Sequence, residues 1–311
     1  MPDWQRQFKK TNLICSIKEP NSAFADERQQ ALVPYRKYNQ LRLLFLGDVV
    51  GRSGRSAVVS RLPALRERYS LDFVVVNGEN AAGGFGINEK IANELFNAGA
   101  DVVTTGNHAF DQRETLSHIA REDRLLRPAN YPEGTPGKGA GLFRAANGAQ
   151  VLVVNLMGRV FMQELDCPFQ QISRELEACP MGVGADIVFV DMHAEASSEK
   201  QAMGAFLDGK VSAVIGTHTH VPTADDRLLP QGTAYMSDAG MCGVYDSILG
   251  MEKDEPVSRF VTRLNGGRFA PVIGEAAISG VVVHIDEGTG LARNICPLRL
   301  GPGLRQMEPD F

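Results

Sequence analysis

The residue types that could run metal-dependent hydrolysis in this chain all stand a few positions past short apolar runs. Asp48 closes LRLLFLGD, Glu79 and Asn80 close DFVVVNGEN, Asn107 and His108 close ADVVTTGNH, His193 closes ADIVFVDMH, and His218 and His220 close VSAVIGTHTH. The chain has 6 histidines, and four of them fall in these places. Asp48 and Glu79 offer anionic oxygens, Asn80 and Asn107 neutral ones, and His193, His218 and His220 imidazole nitrogens. That mixture suits Fe, Mn or Zn rather than Mg or Ca. Two divalent ions about 3.5–4 Å apart can clamp a phosphoryl group, activate a water and stabilise the charge building on phosphorus. No single piece carries the reading. Gly47-Asp48 also suits a plain turn, Gly106-Asn107-His108 a satisfied one, and His193 a hydrogen-bonded core position. Recurrence at one structural position makes the case.

The apolar runs read as buried strands, and in open α/β sheets ligands bind in the crevice beyond the strands' carboxyl ends. One crevice would then gather all five segments. From Leu41 onward strand patterns alternate with helical ones, which predicts an α/β layer arrangement. Val58, Leu62 and Leu65 mark one helix face, with Pro63 expected to kink it. Ile91, Leu95 and Phe96 mark a second, closed by Gly99 as C-cap; Phe169, Ile172 and Leu176 mark a third, and Phe206 and Leu207 end a fourth before Gly209. Residues 1–40 are polar and aperiodic, and are expected to form a flexible N-terminal extension to a domain spanning 41–311, although the apolar patch Leu13–Cys15 could dock on the body. PANYPEGTPGKGAG, from Pro128 to Gly141, is too rich in Pro and Gly for helix or strand. Long ordered loops are more often functional than not, so a border of the site is preferred to a bland connection. Arg159, Phe161 and Met162 could shape a pocket, with a core or interface role preferred for the last two, and Tyr245 and Asp246 could be rim or turn.

At 311 residues with 43% apolar content the chain can bury a substantial core. Net charge is −5, and residues 41–311 alone carry −8, so a surface for long nucleic acid is not the default. The 5 cysteines are odd in number and form no C-x-x-C pair, which fits reduced thiols in a cytoplasmic setting. No stretch approaches the roughly 20 apolar residues of a membrane span, and the start lacks a signal-peptide apolar segment. Rival chemistries fare worse. Gly47 to Gly54 matches neither G-x-G-x-x-G nor the P-loop, and Ser53 and Ser56 lack a nucleophile elbow.

The five segments resemble the calcineurin-like metallophosphoesterase superfamily, whose pattern runs D-x-H, G-D-x-x-D, G-N-H-[DE], H, G-H-x-H. Here Val50 stands where the first motif has His, the second reads Gly78-Glu79-Asn80, and the third reads Gly106-Asn107-His108-Ala109-Phe110-Asp111. These departures are similar to the YmdB-like bacterial subfamily, as are GDVVGRSGR, NGENAAGGFGI, RPANYPEGTPGKG, NLMGRVFM and YDSILGMEK. The resemblance covers Leu41 to the end.

It implies a four-layer α/β/β/α sandwich, a di-iron or di-manganese centre (zinc being a further ion the donors would take), and hydrolysis of 2′,3′-cyclic nucleotides to 3′-nucleotides. Carried over by position, Glu79 would bridge both ions, with Asp48, Asn80 and His220 completing one shell and Asn107, His193 and His218 the other. His108 would stand outside as general acid, with Asp111 either orienting it or capping a helix. The expected partner is a small phosphodiester. A phosphatase or nuclease acting on another ester, and a regulatory metal- and nucleotide-binding scaffold, remain alternatives, and a homo-oligomer stays open.

Overall fold

A computed structural model describes residues 40–310. The expectation for the N-terminal extension lies outside them, apart from Gln40, which opens the first strand.

Along the first half run β1 (Gln40–Leu46), β2 (Asp48–Val49), α1 (Gly51–Arg68), β3 (Phe73–Asn77), α2 (Glu89–Asn97), β4 (Val102–Thr104), α3 (Thr115–Ile119) and β5 (Leu125–Leu126). The second half brings β6 (Ala140–Arg144), β7 (Gln150–Met157), α4 (Pro168–Ala178), β8 (Ile187–His193), α5 (Ser197–Leu207), β9 (Ala213–Thr217) and β10 (Arg227–Leu228). It continues with β11 (Ala234–Met236), β12 (Met241–Cys242), α6 (Asp254–Thr262), β13 (Ile278–Asp286) and β14 (Ala292–Leu300).

Two six-stranded sheets result, ordered β14-β13-β1-β3-β4-β5 and β10-β11-β9-β8-β7-β6. Their middles are parallel, β1, β3, β4 and β5 in one and β7, β8, β9 and β11 in the other, with antiparallel strands at the margins, while β2 pairs with β12 apart from both. Strands covered on both faces need continuous apolar runs rather than alternation, which is why FVVVN and the IVFV start of β8 read as they do.

Three apolar clusters stack these parts into four layers. Val58, Leu62 and Leu65 of α1 and Ile91 and Leu95 of α2 pack on Leu44, Leu46, Val74 and Val76 of the first sheet. The opposite faces of the two sheets meet through Phe45, Phe73, Val75, Val153, Phe189 and Ile215, with the Phe45 and Phe189 rings 5.0 Å apart. Ile172 of α4 and Met203 and Leu207 of α5 cover Val154, Val188 and Val190 on the outer face of the second sheet. The α/β/β/α sandwich follows.

Gly99, at φ +112°, closes α2 as expected. Pro63 does not break α1: the helix runs through it because Pro63 faces solvent, where the carbonyl it leaves unpaired can bind water.

Candidate metal centre

Each expected donor sits just beyond a strand's carboxyl end, and the sheets divide the labour. The first sheet and the short β2 supply the oxygens: Asp48 in β2, Glu79 and Asn80 after β3, Asn107 after β4. The second supplies the nitrogens, His193 ending β8 and His218 and His220 following β9. Asp48, Glu79 and His193 are at most 1% exposed.

The structure brings these side chains together in two groups. Around His193 Nε2 lie Glu79 Oε2 at 3.1 Å, Asn107 Oδ1 at 3.0 Å and His218 Nδ1 at 3.1 Å. In the second, His220 Nε2 lies 3.2 Å from Asn80 Oδ1, and the Asp48 carboxylate is close enough to feel the charges of His220, His193 and Glu79. Glu79, His193 and His218 offer donor atoms all within 4.8 Å of one another. Gly106 must be glycine, because a Cβ there would stand 2.2 Å from Glu79 Oε2 and 2.3 Å from His193 Nε2.

Hydrogen bonds fix which atom of each donor turns inward. His193 Nδ1 donates to Thr217 Oγ1 at 2.9 Å, and Thr217 donates on to Asp191 Oδ1 at 2.7 Å. His220 Nδ1 donates to the Leu249 carbonyl at 3.0 Å. His218 Nε2 faces Glu195 Oε2 at 3.3 Å. Asn80 Nδ2 donates to the Gly84 carbonyl at 3.0 Å, which turns its Oδ1 inward. Each imidazole thus spends one nitrogen on an oxygen acceptor and presents the other.

His218 and His220 hold φ at +96° and +64°, so the strand geometry stops at Thr217 and the turn aims both rings. Such backbone strain persists only where its surroundings enforce it. Asp238 does so, accepting Thr219 N–H at 3.0 Å and Thr219 Oγ1–H at 2.8 Å while paired with the buried Lys200 ammonium at 2.8 Å.

Burial pushes the Glu79 carboxyl up, but the opposing charge and hydrogen bond of His193, with His108 and His218, bring it down to about 2. Burial likewise pushes His193 down, and Glu79, Asp48 and Asp191 raise it to about 9. Burial and the neighbouring His193 lower His218 to about 3.

The donor set fits divalent cations. Lone-pair atoms of four side chains crowd one point, where a single proton satisfies them only in part. Asp48 Oδ1 is buried and accepts no hydrogen bond, an arrangement that costs free energy unless a cation answers it.

His108 stands at the edge, its Nδ1 2.8 Å from Asp111 Oδ2 and its side chain 27% exposed. Asp111 orients the ring; the residue that leads into α3 is Glu114. His108 borders a cavity of about 380 Å³ together with Glu79, Asn80, Glu195, His218 and His220. No residue of the 128–141 connection lines that cavity, but burial and the charge of the nearby Glu79 carboxylate raise the Tyr131 phenol, so the connection borders the donor cluster itself. Arg127 ties that connection to itself, donating to the carbonyls of Pro128, Thr135 and Pro136. Phe161 is 90% exposed and Met162 packs on the outer cluster of the second sheet. Tyr245 is a turn residue, its hydroxyl bonded to the Met241 backbone.

Sequence reasoning missed Asp191, Thr217, Glu195 and the Lys200–Asp238 pair. Asp191 left one local signal, an acid in an apolar strand two residues before His193 and hence on the same face.

A two-sheet sandwich with mixed oxygen and imidazole donors between its strand ends defines a metallophosphoesterase-type protein. The profile of the YmdB-like protein family matches residues 44–298, and the chain belongs to that family. A relative from Bacillus subtilis (strain 168), named 2′,3′-cyclic-nucleotide 2′-phosphodiesterase, is 48% identical over 259 residues, 82% of this chain and 95% of the relative. A Thermus thermophilus crystal structure, described as a hypothetical protein, superposes with TM-score 0.78 at 44% identity, covering 84% of this chain and 99% of that one. A Mycoplasma pneumoniae structure described as a novel phosphatase gives TM-score 0.79 at 32% identity, covering 85% and 94%.

Proposed function

We propose that this protein is a metal-dependent phosphodiesterase that opens 2′,3′-cyclic nucleotides to 3′-nucleotides at a dinuclear centre. Glu79 would bridge, Asp48, Asn80 and His220 would complete one shell, and Asn107, His193 and His218 the other. The reading rests on the gathering of seven donor side chains at one end of the two sheets, Glu79 lying against His193 and within range of the Asp48 carboxylate, and the Bacillus subtilis relative's name supplies the substrate class. Iron is the first choice of ion, with manganese or zinc also suited to these donors.

Bound divalent cations would supply Lewis acidity, lowering the pKa of water and offsetting charge on the phosphoryl oxygens. The protein's own groups do the rest. Two carboxylates, Asp48 and Glu79, leave two divalent ions with a surplus of positive charge that draws in a phosphodiester monoanion. Water adds to phosphorus as the bond to the ribose 2′-oxygen breaks. His108, held through Nδ1 by Asp111, gives that oxygen its proton from Nε2. The small cavity and the negative body suit a mononucleotide in the cytoplasm rather than a long strand. Among the described residues no helix is long and apolar enough to cross a membrane.

A phosphomonoesterase is the second reading, favoured by the Mycoplasma pneumoniae structure's description. Metal-loaded protein should be offered 2′,3′-cyclic AMP, 3′,5′-cyclic AMP, a phosphomonoester and short RNA. We expect the first to be preferred, with 3′-AMP as sole product; accumulation of 2′-AMP, or turnover of the monoester alone, refutes the proposal.

A further inference from the structure

One wall of the cavity has no task in phosphoryl transfer. It consists of Ile248, Leu249, Met251, Pro256, Phe260 and Phe269, set apart from Phe85, which packs edge-on against the His108 ring, and a phosphodiester anion gains nothing from apolar surface. α6 contributes Pro256 and Phe260, and Pro256 is the helix residue that is buried. Phe260 borders the cavity yet is 77% exposed, so the fold does not use this ring as core.

Phe269, by contrast, is braced. The Arg259 guanidinium carbon lies 4.1 Å from its ring centroid. Arg259 is fixed in turn by Glu255 Oε1 at 2.7 Å and the Gly267 carbonyl at 2.7 Å. The loop after α6 is thereby folded back on its own helix, and the aromatic surface is organised before any ligand arrives. Binding then orders little more of the protein.

We propose that Phe260 and Phe269, backed by Leu249 and Met251, form the subsite for the flat aromatic base of a nucleotide, and that this wall sets the preference for nucleotides over base-free phosphodiesters. The inference rests on the phosphodiesterase reading, since the phosphate must lie at the clustered donors for a base to reach the rings. The volume, about 380 Å³, is at the lower end of the range for small-molecule pockets, roughly 300–1,000 Å³, which suits one nucleotide. The polar lining residues, Glu79, Asn80, His108, Glu195 and the His218 to His220 turn, belong to the donor side. The wall itself offers no side-chain hydrogen-bonding group, so it distinguishes a base from no base and discriminates weakly among bases. Stacking has this character because every base has a π face.

The test uses the full chain loaded with metal. Efficiencies are measured for 2′,3′-cyclic AMP, 2′,3′-cyclic UMP and glycerol 1,2-cyclic phosphate, and 3′-AMP binding is followed by calorimetry. In Phe260→Ala and Phe269→Ala the efficiency ratio of cyclic AMP to glycerol cyclic phosphate should fall about tenfold, through KM, within the roughly 5- to 150-fold that a stacking ring is worth. Affinity for 3′-AMP should weaken by the same factor, and Phe260→Trp should restore both. Phe260 is a surface ring, so its loss leaves the fold intact. An unchanged ratio in both alanine variants, or full discrimination in Phe260→Leu, overturns the proposal. Wild-type protein that opens no cyclic diester yet binds 3′-AMP in a Phe260-dependent way would sink the enzymatic reading and leave the base subsite standing.

Discussion

Replacing Glu79 with Gln should weaken the two cations unequally. The variant keeps the shape and removes one charge. A unit charge ~4 Å from a divalent ion in a site of effective dielectric ~20 is worth ~8 kcal/mol, or about six decades of affinity. The shell of Asp48, Asn80 and His220 should lose all of it. The other shell contains His193, whose proton titrates at about 9 because Glu79 and two further carboxylates outweigh its burial. At pH 7.5 a cation must displace that proton, at a cost of about 2 kcal/mol for roughly 1.5 pH units. Removing Glu79 removes the main cause of that cost as well, so the net loss there is about 6 kcal/mol, roughly four decades. At pH 9 the proton no longer matters and both shells should lose about six decades. Metal titration of wild type and Glu79→Gln at the two pH values reads this, and His193 ring titration by NMR checks the premise. His108→Ala is the control: it should keep both ions and lose roughly 10²- to 10⁴-fold in rate. Equal weakening of the two ions at pH 7.5, wild-type affinity in Glu79→Gln, or metal loss in His108→Ala as severe as in Glu79→Gln would refute the assignment.

Thr217→Val removes the group that accepts from His193 Nδ1 and donates to Asp191. Metal affinity should drop roughly 10- to 100-fold, as measured by chelator competition, and unaltered affinity would show that His193 needs no such orientation. Metal-free protein should lose heat stability as pH rises from 6.5 to 9. His193 is raised to about 9, so its contribution is complete below the unfolded value near 6.5 and fades as pH rises to 9. On the acid side His218, lowered to about 3, and Asp191, raised to about 6, act in opposite directions and offset each other. Thermal melts in chelator check this, and a flat Tm between pH 6.5 and 9 would contradict the charged His193–Glu79 pair.

The positions of the seven donors could be read from local pattern because a buried strand and the turn after it are both short-range features. The devices that aim the donors could not. Asp191 appears in sequence as one acid within IVFVDMH, while its partners Asn77, Thr104 and Thr217 come from three other strands. Lys200 and Asp238 are 38 residues apart, and nothing local announces that a lysine in α5 is buried. The internal order of the 128–141 connection was not legible either, because it comes from the Arg127 guanidinium, which only the folded backbone brings under the carbonyls of Pro128, Thr135 and Pro136.

The split of donors between sheets has a thermodynamic consequence. The first sheet and β2 hold the oxygens, the second sheet the imidazoles, and the two meet through the Phe45–Phe189 layer between them. Neither half offers two full shells, so the proposed centre would form only when the sheets stand in register. Cations that bind this arrangement and not the separated one stabilise the packing by RT ln(1 + [L]/Kd). Metal affinity and inter-sheet packing are therefore one linked equilibrium. A substitution that loosens the layer around Phe189, far from any donor, must lower metal affinity by the same factor by which metal stabilises the layer.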